Sequence, residues 1–202
     1  MPVNQPDHPI TESLANRWSP YRFEPREVED HKILSCLEAD RWAASSFNDQ
    51  PWSWIVARRQ DTNPFEQMLA CLLETNRIWA SNAGALILTV TRSTFRYNGK
   101  PNRVALHDLG IAAAQLTLQA GELGLHVHHM AGVNLSLIRQ LYGIPEGHDP
   151  QTAIAIGYAD QSQPSDELAK QLHQRETGPR EREPLGSQVF AEKWGESAGF
   201  LT

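Results

Sequence analysis

The stretch that decides the fold runs from Val104 to Leu123: V-A-L-H-D-L-G-I-A-A-A-Q-L-T-L-Q-A-G-E-L. Alanine and leucine recur on nearly every face of this helix-favouring run, and Gly124 follows as a stop. A helix that is apolar all round belongs at the centre of a core or between subunits. Short β-branched runs lie on either side of it. Ala85–Val90 (ALILTV) is apolar almost throughout, as expected of a strand covered on both faces. Leu125–Met130 and Thr152–Tyr158 (TAIAIGY) also read as strands, as does Trp52–Ala57 (WSWIVA) after the Gln50-Pro51 break. Helical spacing places Ile33, Leu34, Leu37 and Trp42 on one helix within Val28–Trp42. Asn63-Pro64 offers an N-cap and a first-turn proline for a helix through Phe65, Leu69, Leu72 and Leu73. Two more helices follow, Leu135–Tyr142 stopped by Gly143, and one around Asp166–Gln174. Strands alternating with helices predict an α/β (α+β) fold with a central mixed β-sheet flanked by helices.

The 202 residues suit one domain spanning 1–202. Residues 1–12 carry three prolines and no periodicity, and read as an arm. Residues 183–202 include Val189, Phe190, Trp194 and Phe200, an apolar tail expected to pack on a partner subunit. With 18 basic and 24 acidic residues the net charge is −6, which argues against a nucleic-acid partner. Mean hydropathy is −0.47, and no run approaches the roughly 18 apolar residues of a membrane span. The N-terminal stretch MPVNQPDHPITESLANRW lacks the basic and apolar regions of a signal peptide, so a cytoplasmic location is expected. The two cysteines, Cys36 and Cys71, fall in apolar helical patterns and read as buried thiols.

Four clusters carry chemistry. Arg17-Trp18-Ser19-Pro20-Tyr21-Arg22 places two guanidiniums and a hydroxyl where a phosphate can be gripped; the bland reading is a basic turn. Ala43-Ala44-Ser45-Ser46-Phe47-Asn48-Asp49-Gln50-Pro51-Trp52 is a loop of neutral hydrogen-bonding groups suited to the edge of a flat heterocycle, or simply a capped helix end. In Leu125-His126-Val127-His128-His129-Met130-Ala131-Gly132, strand geometry puts His126 and His128 on one face about 6–7 Å apart. A metal-dependent hydrolase built on these two and His107 is therefore conceivable, but packed histidines are the simpler reading. The Ala131-Gly132 step lets backbone N–H groups approach a ligand. Finally, Arg180-Glu181-Arg182 in extended chain points both arginines the same way. No phosphate loop, G-x-S-x-G elbow or C-x-x-C motif is present, so redox chemistry would need a bound cofactor.

In this order the clusters resemble the FMN-dependent nitroreductase family, from about Arg17 to Trp194. The resemblance rests on R-W-S, A-S-S-F-N-D-Q-P-W, the alanine-rich helix ending at Gly121–Leu125, Met-Ala-Gly, A-I-G-Y, and a closing R-x-P-L with Trp194-Gly195. It implies an intertwined homodimer with FMN at the subunit interface, the FMN carrying electrons from NADH or NADPH. The acceptor would be a small nitroaromatic, quinone or similar conjugated molecule, served by a ping-pong mechanism with no protein nucleophile. Arg17, Trp18 and Ser19 would hold the ribityl-phosphate end, with Arg180 and Arg182 closing over the phosphate. Ala44, Ser45, Ser46 and Asn48 would reach the flavin from the other subunit. Asn76 would contact the pyrimidine edge, and Met130, Ala131 and Gly132 would face the reactive N5 side. Ala44 stands where the family has proline. Tyr21 stands at the flavin edge where many members have a basic residue, with Arg22 one place later, and Trp79 replaces a lysine of some members. A neutral edge there motivates the alternative of a flavin-handling protein with little reductase activity.

Overall fold

The structure, a computed structural model, describes residues 4–201, so the first three residues of the N-terminal arm and the last residue of the C-terminal tail lie outside it. The described residues form seven helices and four strands: α1 (Glu12–Ala15), α2 (Asp30–Arg41), β1 (Trp52–Arg58), α3 (Thr62–Ala70), α4 (Glu74–Ala80), β2 (Ala85–Arg92), α5 (Ala105–Glu122), β3 (His126–Met130), α6 (Leu135–Tyr142), β4 (His148–Gly157) and α7 (Glu167–Thr177). The strands lie in the order β1-β2-β4-β3. All three pairings are antiparallel, so the α+β class stands but the sheet of this chain is antiparallel rather than mixed. The reason is topological. β2 and β3 run the same way and are joined through α5, as the alternation of elements suggests, but β4 enters between them and opposes both.

The central strands bury both faces. Leu86, Leu88 and Val90 of β2, with Ala153 and Ala155 of β4, face a core that holds Phe65, Met68 and Leu69 of α3, Trp79 of α4 and Ile138 of α6. Ala85 and Ile87, with Ile154 and Ile156, face Ile33 and Cys36 of α2 and Leu116 and Ala120 of α5. Size is complementary across the sheet. The alanines of β4 share their face of the sheet with the large Trp79 and Phe23 rings, and its isoleucines share the other with Ala120. Such interdigitation is what brings a core to crystal-like density.

Local chemistry sets the boundaries. The Asn134 side chain accepts from the Leu137 N–H at 3.0 Å to start α6, and Gly143 ends it at φ 58°. Asp166 caps α7 by accepting from Ala169 N–H at 2.8 Å. α3 begins at Thr62 after Asp61, two residues before the expected start, which puts Pro64 at the third helical position. First-turn N–H groups have no intrahelical acceptor, so proline is tolerated there. Leu72 and Leu73 leave that helix, and Leu72 bridges to Val133 instead. α5 is covered on the side of Ala105, Leu109, Ala112, Leu116 and Ala120, while Leu106, Gly110 and Ala114 remain exposed in one chain. In α2, Ile33 and Cys36 are buried but Leu34 is exposed, as is Trp42 just past its end. Both cysteines are free and buried.

Candidate functional site

The Arg17–Arg22 segment is fixed by a carboxylate that no motif marked. Glu176 of α7 is buried, and its Oε2 accepts the N–H groups of Tyr21 and Arg22 at 2.9 and 3.1 Å. Arg22 is buried too and donates to Asp160 Oδ2 at 2.8 Å and to the Ser162 carbonyl at 2.7 Å. Its cation is therefore consumed in the fold.

Arg17 donates to Ser19 Oγ at 3.2 Å, and Arg180 donates to the Arg17 carbonyl at 2.9 Å. Arg17, Arg180 and Arg182 line one cavity of about 410 Å³, together with Asp7, Leu14 and Glu183. Burial, and then repulsion from Arg182, holds the Arg17 guanidinium below its ordinary pKa; burial, Arg17 and Arg182 do the same to Arg180. Like charges gathered this way favour an anion between them. Trp18 is buried edge-on against His126, with ring centroids 5.4 Å apart.

From Ser19 the chain leads to an aromatic cluster. The Tyr21 ring meets Trp79 at 5.3 Å and His128 at 4.7 Å, and Trp79 meets His128 at 4.4 Å. His128 Nδ1 donates to the Pro20 carbonyl at 2.8 Å, which leaves Nε2 as the acceptor nitrogen. The Trp79 indole N–H is buried with no hydrogen-bond partner among the described residues. One turn earlier on α4, Asn76 donates to the Gly132 carbonyl at 3.1 Å. A Cβ on Gly132 would lie 2.6 Å from Asn76 Nδ2, so a larger residue here would push the Asn76 amide from its present place. The same turn is pinned by Leu73 N–H to Gly132 and Asn134 N–H to the Cys71 carbonyl, while Met130 is buried and Ala131 is exposed.

Of the three histidines of β3, His126 and His128 are half-buried and His129 is exposed. His129 Nε2 lies 2.9 Å from Thr117 Oγ1, and burial lowers the pKa of His126 and His128. Among the described residues no group of three His, Cys, Asp or Glu side chains is placed to hold a metal.

The loop with Ala44, Ser45, Ser46 and Asn48 stands apart. It feeds β1, one edge of the sheet, whereas Met130–Gly132 leave β3, the other edge, three strand spacings or about 14 Å away. Its backbone is strained, with Phe47, Asn48 and Gln50 at φ 55°, 54° and 46°. Buried groups hold it there. Asp49 pairs with Arg92 at 2.6 Å and accepts from Arg96 N–H at 2.8 Å, and Asp108 of α5 accepts from Ser46 N–H at 3.1 Å. Ser45 Oγ accepts from Gln50 N–H at 3.0 Å, while Ala44 and Asn48 are exposed. One chain thus unites Arg17, Ser19, Tyr21, Asn76, Met130–Gly132, Arg180 and Arg182, but not the Ala44–Asn48 set. Sequence reasoning missed Asp49, Arg92, Asp108 and Glu176. A lone aspartate inside the apolar α5 pattern was the one visible signal.

The sequence and the fold have counterparts. The model of the Nitroreductase family matches residues 14–85 and 73–158, and the chain belongs to that family. It is 34% identical over 130 residues to an uncharacterised 15.4 kDa protein of Mycolicibacterium smegmatis, covering 63% of this chain and 82% of that one. Over 50 residues it is 42% identical to the major NAD(P)H-flavin oxidoreductase of Aliivibrio fischeri, which spans 24% of this chain and 23% of that protein. A solved structure described as an oxidoreductase containing FMN superposes with a TM-score of 0.85 at 29% identity, covering 96% of this chain and 97% of the other.

Proposed function

We propose that the protein binds FMN and passes electrons from NADH or NADPH to a conjugated small-molecule acceptor such as a nitroaromatic or quinone, by a ping-pong cycle. The observation that carries this reading is the cavity shared by Arg17, Arg180 and Arg182, joined through Ser19 and Tyr21 to Trp79, Asn76 and Gly132. The residues fit the cofactor. Three guanidiniums suit a phosphate, and the orphaned Trp79 N–H needs the kind of acceptor a flavin pyrimidine edge offers. The A. fischeri relative's name and the FMN-containing neighbour support the same assignment.

Bound FMN would supply the electron chemistry itself. The chain's part is to bind and orient. Arg17, Ser19, Arg180 and Arg182 would take the phosphate end. Asn76 would present its amide at the pyrimidine edge, and the Met130–Gly132 turn would bring backbone close to the reactive face. A homodimer would supply Ala44, Ser45, Ser46 and Asn48 in trans, which fits their place on the far edge of the sheet. It would also cover Leu106 on α5 and the tail's Trp194 and Phe200, which are 60%, 92% and 79% exposed in one chain. Among the described residues no helix is long and apolar enough to cross a membrane, and the buried free thiols suit a cytoplasmic setting.

The test is anaerobic titration of the FMN-loaded protein with each reduced nicotinamide. Stoichiometric bleaching of the flavin, reversed by an added quinone, is the expected result. The neutral Tyr21 and Trp79 favour a second reading, a flavin-handling protein, and flavin that stays oxidised under both nicotinamides would select it.

A further inference from the structure

The two positions where cations were expected carry Tyr21 and Trp79, and Arg22, the nearest alternative, is buried with Asp160, Ser162 and Glu176. Yet a cation does reach this place, from the other end of the chain. Arg175 of α7 lays its guanidinium 4.3 Å from the Tyr21 ring centroid and donates from Nη2 to the Tyr21 hydroxyl at 2.9 Å. The neighbouring residue, Glu176, holds the Tyr21 and Arg22 N–H groups, so α7 fixes the backbone and caps the ring together. Arg175 is also close enough to lower the His128 pKa. Tyr21, Trp79 and His128 form one contact cluster, and Arg175 is its positive lid.

We infer that Arg175, carried on the face of Tyr21, is the cation that serves the pyrimidine edge of the bound flavin. The inference rests on the FMN reading above. A reduced flavin carries negative charge along that edge, and a guanidinium beside it stabilises the reduced form more than the oxidised one. Tyr21 is then a platform: its ring holds the guanidinium by a cation–π contact, and its hydroxyl fixes the orientation. Because Arg175 is exposed, the effect is open to screening by salt.

The experiment is a spectroelectrochemical measurement of the flavin midpoint potential in the FMN-loaded protein and in Arg175→Gln, Arg175→Lys and Tyr21→Phe. Arg175→Gln is expected to lose about tenfold of the preference for reduced over oxidised FMN, a fall of about 30 mV for two electrons. Arg175→Lys should keep most of the potential, and Tyr21→Phe should fall between them, because it removes the hydroxyl anchor and leaves the ring. The wild-type potential should also approach that of Arg175→Gln as ionic strength rises. An unchanged potential in Arg175→Gln with FMN still bound overturns this inference alone. An equal fall in Arg175→Lys and Arg175→Gln also overturns it, since that would mark a packing role rather than a charge. Wild-type protein that takes up no FMN overturns the flavin reading and this inference with it.

Discussion

Replacing Asp49 with alanine tests how the strained loop is held. The Asp49 side chain is 2% exposed and its partner Arg92 is 14% exposed, so the pair is largely desolvated. Breaking such a pair from one side costs about 3–5 kcal/mol, because the other charge stays buried. Two details place the expected loss at the low end. Arg92 keeps the Thr94 carbonyl at 2.6 Å and the Asp49 backbone carbonyl at 3.2 Å. In addition, Phe47, Asn48 and Gln50 each leave a left-handed conformation once the anchor is gone, recovering part of a strain of about 1–3 kcal/mol apiece. The net expectation is a loss of about 3 kcal/mol. For a chain of this size that lowers Tm by about 6–12 °C. Calorimetry at fixed protein and flavin concentration reads it, and a double-mutant cycle with Arg92→Ala should show a coupling above about 1.5 kcal/mol. A fall of less than about 2 °C, or strictly additive losses, would refute the claim that this pair holds the loop.

Other variants probe the rest of the molecule. Asp40 is buried at the end of α2, with one oxygen accepting from Trp54 Nε1 at 2.9 Å and the other unpartnered among the described residues; burial pushes its pKa up to about 7. The folded state therefore holds an extra proton between the unfolded pKa near 4 and pH 7, and this group's contribution to stability falls as pH rises through that window. Asp40→Asn should remove the dependence and gain on wild type by on the order of 3 kcal/mol between pH 4 and pH 8 in paired urea titrations, whereas parallel profiles would contradict the assignment. Gly132→Ala drives a Cβ against Asn76 Nδ2, and should weaken FMN binding about tenfold while costing about 1–2 kcal/mol of stability; unchanged affinity would mean Asn76 is not at the flavin. With Arg182 at the phosphate as proposed, Arg182→Ala would remove one charge-assisted contact, about 1.5–3 kcal/mol, so FMN binding measured by fluorescence should fall ten- to a hundredfold while riboflavin binding holds. Equal losses for both would show that the arginine acts through the fold.

The elements were legible wherever one physical signal dominated. Ala85–Val90 reads as a covered strand, and Gly143 with Pro145 as the stop of its helix. The strand directions were less accessible, because the position of β4 between β2 and β3 depends on long-range pairing such as Ala155 with Leu86 and His128. α4 was hidden because Leu72 and Leu73 extend the α3 pattern, although tertiary pairing with Val133 breaks the helix there. Of the candidate site, the motif clusters stood out in the sequence, but their supports did not. Glu176 and Asp49 look like surface charges in sequence, and only the fold buries them against Tyr21 and Arg92, whereas Asp108 stood out in the apolar α5 pattern without naming its partner Ser46. Arg175 was invisible for the same reason, lying 154 residues from the ring it covers.

The proposed phosphate end of the FMN site is formed by Arg17, Arg180 and Arg182. Its most direct test is an equilibrium titration of flavin-free protein with FMN and with riboflavin side by side. One FMN per subunit is expected, bound at least about tenfold more tightly than riboflavin, with an advantage that shrinks as salt rises. Equal affinity for the two flavins, or no uptake of either, would contradict it.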